Sequence, residues 1–243
     1  MSALVPVPDR GRRFSASRRV RWGDADVRGR LRLDSVARYL QDVANDDTRD
    51  AGHDPAAAWV VRRTEIEVRS PVTVGEQVEL TTFCGGLGSR WAERRTSVVG
   101  TAGGRIEVAA LWVQVDARTG RPTRLDPGFV AAYGEAAGGR EVSARLRHDP
   151  PPDGGQRRPW PLRSTDFDRF GHVNNAATWE AVEDELDRLA VVPVRAELEY
   201  RDGIGPADAV DLVSWPLRDG DIGIWLTVDG ALRASAVIGV LSG

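Results

Sequence analysis

The chain has 243 residues, 41% hydrophobic and 28% charged, the composition of an ordinary soluble globular protein. A net charge of −3 gives no argument for nucleic-acid binding, and no apolar run reaches the roughly eighteen residues of a membrane helix. Cys84 is the only cysteine, which excludes an intrachain disulfide and fits a reducing cytoplasm; the N-terminus lacks the apolar core of a secretory signal.

The first element predicted is a strand, Phe14 to Trp22, inside an Arg-rich start (Arg10, Arg12, Arg13, Arg18, Arg19, Arg21). This basic run reads as a solvated strand edge, although it could also attract an acidic carrier or a phosphate group. Asp34 or Ser35 then caps a helix whose Val36, Leu40 and Val43 share one face. A Gly- and Ala-rich turn over Ala51 to Ala58 leads to a strand from Trp59 to Arg69, where Ile66 and Val68 alternate with Glu65, Glu67 and Arg69. Strands follow at Gln77 to Leu87, Arg90 to Val99 and Arg105 to Val115, joined by Gly-rich hairpin turns.

Residues 134–159 are rich in Gly and Pro and read as a linker between an N-terminal module, 1–133, and a C-terminal one, 160–243. The second half repeats the order. Trp160 to Ser164 is expected as a strand, and Trp179, Val182, Leu186 and Leu189 mark the buried stripe of a helix. Strands are predicted at Val194 to Arg201, Ala209 to Leu217, Ile222 to Val228 and Ala231 to Leu241. Each half is therefore a strand, a long helix and four mainly antiparallel strands, an α+β arrangement. Pairing the halves as an internal pseudo-dimer would cover the open sheet edges. The eight Trp suggest a substantial core or an apolar pocket.

The repeat is visible residue by residue. Asp24-Ala-Asp26-Val-Arg-Gly29-Arg30 recurs as Asp166-Phe-Asp168-Arg-Phe-Gly171-His172, an offset of 142 (Arg30 to His172). Glu65-Ile-Glu67-Val-Arg69 recurs as Glu197-Leu-Glu199-Tyr-Arg201, an offset of 132 (Glu67 to Glu199). Internal repetition at this level means one module used twice. Only the second copy carries His172-Val173-Asn174-Asn175.

That segment has the ingredients of a site. Gly171 permits a turn that a side chain would hinder. His172, Val173, Asn174 and Asn175 stand at the entrance to a helix, where backbone N–H groups and the helix dipole favour a developing oxyanion. Asp168 would activate water or attack an acyl carbon directly, and His172 would orient or shuttle protons. Asn174 is either catalytic or a cap; Gly171, Val173 and Asn175 would meet substrate. Asp166 reads as a turn or cap residue. His53 and His148 fall in loop-like contexts and receive no role. The His and Cys residues do not fall at metal-ligand spacing, and no Gly-x-Ser-x-Gly elbow, Walker loop or dinucleotide fingerprint occurs.

On these residues the chain resembles the hotdog-fold thioesterases, and among them the acyl-ACP thioesterases that carry two hotdog modules in one chain. Asp168-Arg-Phe-Gly-His172-Val-Asn174-Asn175 is similar to their Asp-x-Asn-x-His-Val-Asn-Asn segment, and Glu199-Tyr-Arg201 to the Glu-Tyr-Arg strand of their second module. The likeness runs from about Phe14 to Leu241. It implies hydrolysis of fatty acyl-ACP or acyl-CoA to free fatty acid in fatty acid biosynthesis, with no metal or redox cofactor. The implied partner is acyl carrier protein or CoA, with no nucleic acid or membrane, and the chain would act as a monomer with its internal pseudo-dimer or as a homodimer. The family's catalytic Asp falls on Asp168 and its His on His172. The family's Asn falls on Phe170, and the Glu and Cys of plant members fall on Gly203 and Ile204, with Asp202 adjacent. Arg30 replaces His in the first module, which is expected to be non-catalytic. The alternatives are an acyl-thioester-binding hotdog protein without turnover and, less favoured, a hotdog hydratase or dehydratase.

Overall fold

A computed structural model describes residues 4–53 and 58–240. Part of the turn expected at Ala51 to Ala58 lies outside these residues, as does Leu241. The chain forms two compact units, one of residues up to 31 with 38–145, the other of 32–37 with 146–243.

The first unit contains strands β1 (Arg13–Arg19), β2 (Trp59–Ser70), β3 (Gln77–Leu87), β4 (Trp91–Gly100) and β5 (Arg105–Gln114), helix α2 (Pro127–Ala137) and, from Arg38 onward, helix α1 (Leu33–Asp50), whose first turn counts with the second unit. The strands are antiparallel neighbours in the order β2-β5-β4-β3-β1. The second unit contains β6 (Gln156–Trp160), α3 (Asn175–Arg188), β7 (Pro193–Tyr200), β8 (Val210–Pro216), β9 (Ile222–Val228) and β10 (Ala231–Val240). Its order, β7-β10-β9-β8-β6, reproduces the first strand for strand. Each unit is thus the α+β hotdog module expected: one long helix and five antiparallel strands.

Helical spacing explains the buried faces. Leu33, Val36, Leu40 and Val43 of α1 are buried, as are Trp179, Val182 and Leu186 of α3. Leu189, expected on that stripe, is the half-buried C-cap. Asp47 continues the α1 stripe and is buried too. Its charge is matched by Arg12 Nε at 2.8 Å and Arg94 Nη1 at 2.5 Å. Arg18 pairs with Asp46, so part of the Arg-rich start is spent on α1. Of the Trp side chains, Trp179 and Trp225 are buried whereas Trp22 is 85% exposed.

Four local outcomes differ from the sequence reading. Strand β1 ends at Arg19, and Trp22, expected to close it, opens a 3-10 turn to Asp24. Helix α1 begins at Leu33, before the expected cap, and Asp34 sits in its first turn bound to Arg32. Helix α2 was not anticipated, although its signals are present: Asp126 caps Phe129 N, Pro127 follows, and Gly138 closes the helix at φ +56°. The strand expected at Trp160 to Ser164 lies upstream as β6, paired along β8 from Gln156–Ser214 to Trp160–Val210. Residues Ser164–Asp166 instead form a 3-10 turn. Shifting β1 by the 142-residue offset would have placed β6 correctly.

The Gly/Pro-rich segment is tied down rather than loose. In the first unit, Arg63 donates to the Arg145 carbonyl at 3.1 Å and Trp91 Nε1 to the Val142 carbonyl at 2.7 Å. In the second, the backbone N–H groups of Arg147 and His148 donate to the two oxygens of Glu199, at 2.6 and 3.1 Å.

Candidate active site

The sequence repeat is also a repeat of hydrogen bonds. In the first motif, Asp26 N donates to the Arg30 carbonyl (2.8 Å) and Gly29 N to the Asp26 carbonyl (2.9 Å). In the second, Asp168 N donates to the His172 carbonyl (2.9 Å) and Gly171 N to the Asp168 carbonyl (3.0 Å). Both loops turn at a glycine with positive φ, +83° at Gly29 and +78° at Gly171. The 132 offset holds as well: Leu31 N donates to the Val72 carbonyl at 2.8 Å, and Val173 N to the Ile204 carbonyl at 2.9 Å.

Asp166 is 3% exposed. Its carboxylate accepts from the Arg163 backbone N–H (2.7 Å) and from Arg163 Nε (3.0 Å), and its carbonyl accepts from Asn174 N (2.7 Å). It builds the turn, as a cap residue should.

Asp168 is half-buried. Its Oδ1 accepts from Phe170 N (2.8 Å) and His172 N (3.4 Å). Its Oδ2 has no hydrogen-bond partner among the described residues, which leaves that oxygen for a ligand or water. The His172 side chain is exposed and does not hydrogen-bond to the Asp168 carboxylate; the backbone N–H makes the link. The imidazole stands against Gly203, where an added Cβ would come within 2.7 Å of Cδ2 and 3.0 Å of Nε2. Asp202 is committed elsewhere. It accepts from Arg233 Nη1 at 2.5 Å and from Gly203 N at 3.0 Å.

Asn174 is the N-cap of α3, and its Oδ1 accepts from Ala176 N at 2.8 Å. Asn175 is the first helical residue, and its carbonyl accepts from Tyr200 Oη at 3.3 Å. The first N–H groups of a helix have no intrahelical carbonyl. The Asn174 cap answers Ala176 N, and the positive end of the helix dipole falls at Asn174, two residues after His172 in the chain. Val173 is half-buried and Gly171 exposed. Phe170 is 66% exposed, with Arg169 stacked over its ring at 4.7 Å.

The first motif has no such opening. Asp26 Oδ1 accepts from the backbone N–H groups of Arg28 and Arg30, both at 2.9 Å, and Oδ2 is held by Arg30 Nε at 3.0 Å. Elsewhere, burial pushes the Cys84 thiol up to about 11, so it stays protonated and unreactive near neutrality.

His148, given no role by the sequence reading, joins a buried cluster. Its Nε2 lies 3.3 Å from Glu197 Oε1, and its Nδ1 lies 3.1 Å from the carbonyl of Ser235. His148, Glu197 and Glu199 offer ligand-type atoms within 4.8 Å of one another. The signal that could have found the cluster is the paired glutamates of the repeated Glu-x-Glu strand.

A hotdog module repeated in one chain defines a double-hotdog protein. Comparison with known proteins makes this specific. The acyl-ACP thioesterase N-terminal domain matches residues 11–133 and the C-terminal domain matches residues 151–226. The chain therefore belongs to the acyl-ACP thioesterase family and is a thioester hydrolase. It is 33% identical to the uncharacterized protein MT2057 of Mycobacterium tuberculosis (strain CDC 1551 / Oshkosh), over 97% of this chain and 95% of that protein. Its fold is similar to that of a candidate oleoyl thioesterase from Lactobacillus plantarum, with a TM-score of 0.83 at 19% identity over 98% of this chain and 100% of the other. It is also similar to a 12:0-ACP thioesterase from Umbellularia californica, with a TM-score of 0.79 at 18% identity over 93% and 96%.

Proposed function

We propose that this protein hydrolyses fatty acyl-ACP or acyl-CoA, releasing a free fatty acid in the cytoplasm, and that residues 160–243 carry the chemistry. The observation that carries the reading is the open carboxylate oxygen of Asp168 beside the mouth of α3. In this scheme the thioester carbonyl oxygen sits at the helix mouth. A water molecule attacks the acyl carbon while Asp168 Oδ2 takes its proton. The carbonyl electrons move onto oxygen, where first-turn N–H groups and the helix dipole hold the oxyanion. Collapse of the intermediate breaks the C–S bond, and the proton taken by Asp168 passes through His172 to the departing thiolate. The first module, with Asp26 closed by Arg30, is assigned no chemistry, and residues 134–159 connect the two. No described helix is long and apolar enough to cross a membrane.

The test is thiol release from acyl-CoA and acyl-ACP substrates of graded chain length, for wild type and Asp168→Asn. Turnover should fall by about 10²- to 10⁴-fold in the variant, the usual contribution of a general base. Unchanged turnover would remove Asp168 from the mechanism. Tight acyl binding with no turnover by wild type would favour a binding protein, the reading prompted by Phe170, Gly203 and Ile204 in place of the family's Asn, Glu and Cys.

A further inference from the structure

We propose that Gly203 is a positioning residue for the His172 imidazole, and that its lack of a side chain is a requirement of the site. The inference rests on the assignment of His172 to the reaction above. Three ring atoms of His172 occupy the space a Cβ at position 203 would need, at 2.7, 3.0 and 3.1 Å from Cδ2, Nε2 and Cγ. A contact of 2.7 Å is essentially never seen for a Cβ in folded proteins, so one partner must move when a methyl group is added. The backbones on both sides are pinned. Val173 N is bonded to the Ile204 carbonyl and Asp168 N to the His172 carbonyl, each at 2.9 Å. The exposed imidazole is the part free to yield. Gly203 is not demanded by backbone conformation, because its φ is not in the positive range that favours glycine.

The first module supplies an internal comparison. By the 132-residue offset, the counterpart of Gly203 is Pro71, which carries a Cβ, and the neighbouring bond from Leu31 N to the Val72 carbonyl is preserved. There the residue in the place of His172 is Arg30, which turns back onto Asp26. One chain thus shows two states of one loop. A bare position 203 accompanies a motif side chain laid across it, and a filled position 71 accompanies a side chain folded away and an occupied carboxylate. The glycine, read from sequence as a lost catalytic glutamate, is on this view the seat of the histidine.

The experiment compares Gly203→Ala with Gly205→Ala, the latter a control in the same loop whose added methyl would meet only Asp208 Oδ2 at an ordinary 3.8 Å. Gly203→Ala should lower kcat by about 10- to 100-fold with little change in KM or Tm, as expected when an acid–base group is displaced. Gly205→Ala should keep wild-type kcat. In NMR spectra of Gly203→Ala, the imidazole resonances of His172 should move while those of His53 and His148 stay. In a double-mutant cycle, Gly203→Ala should add nothing to His172→Ala. Wild-type kcat with unmoved His172 resonances would overturn the proposal, as would full additivity in the cycle. If the wild type turns over no thioester, the functional reading fails separately. Shifted His172 resonances would then still support the seat, and unshifted ones would still overturn it.

Discussion

Replacing Asn174 separates its two possible roles. The side chain caps α3 through a 2.8 Å hydrogen bond from Ala176 N, and removing such a cap costs about 1 kcal/mol. For a chain of this size that corresponds to a fall in Tm of roughly 2–4 °C for Asn174→Ala. Asn174→Asp keeps the acceptor oxygen and places a negative charge at the positive end of the helix, worth about 0.3–1 kcal/mol in its favour. Its stability should therefore equal or exceed that of wild type. Catalysis should respond in the opposite sense. An oxyanion forming at the helix mouth meets a like charge in Asn174→Asp, so kcat should fall by about 10²- to 10³-fold, the scale of a lost oxyanion donor. Asn174→Ala, which leaves the mouth uncharged, should lose less. Urea denaturation and thiol release on the same preparations measure both. An Asp variant as unstable as the Ala variant would refute the cap. An Asp variant with wild-type kcat would refute the helix mouth as the place where negative charge develops.

Two other substitutions test how the site and its scaffold divide. Asp26 is enclosed by the Arg28 and Arg30 backbone N–H groups and the Arg30 guanidinium. Asp26→Ala should cost about 0.5–1.5 kcal/mol through the loss of those hydrogen bonds while turnover persists, the reverse of the effect at Asp168; chemical denaturation beside thiol release shows which pattern holds. Glu185 should make acid stability pH-dependent. Burial alone would raise its pKa, but hydrogen bonds from Arg188, Ser214 and Arg158 outweigh this and hold it at about 2, below its ordinary 4.5. A depressed carboxyl stabilises the fold fully above about 4.5, and that stability is lost as pH falls toward 2. Glu185→Gln should be less stable than wild type at pH 6, with the two Tm values converging in acid, and a constant gap across pH would contradict this.

The sequence by itself determined the module, its duplication and the position of the motif. These follow from local rules: apolar spacing on Trp179, Val182 and Leu186, hairpin glycines, and the two offsets, which reappear as matched hydrogen bonds at Asp26 and Asp168 and at Val72 and Ile204. Helix α2 was legible too, in Asp126-Pro127 and Gly138, but a weak cap signal is easily lost in a Gly-rich stretch. Tertiary structure alone decided what each polar group touches. Asp202 and Gly203 are neighbours in sequence, yet Asp202 is drawn to Arg233 and Gly203 lies under His172. His148 looked like a loop residue and is held by Glu197 and Ser235, far from it in the chain. Patterns of spacing record which face of an element is buried. They carry no record of which distant backbone approaches that face, and in this protein such approaches seat Gly203 under His172 and bring Glu197 and Ser235 to His148.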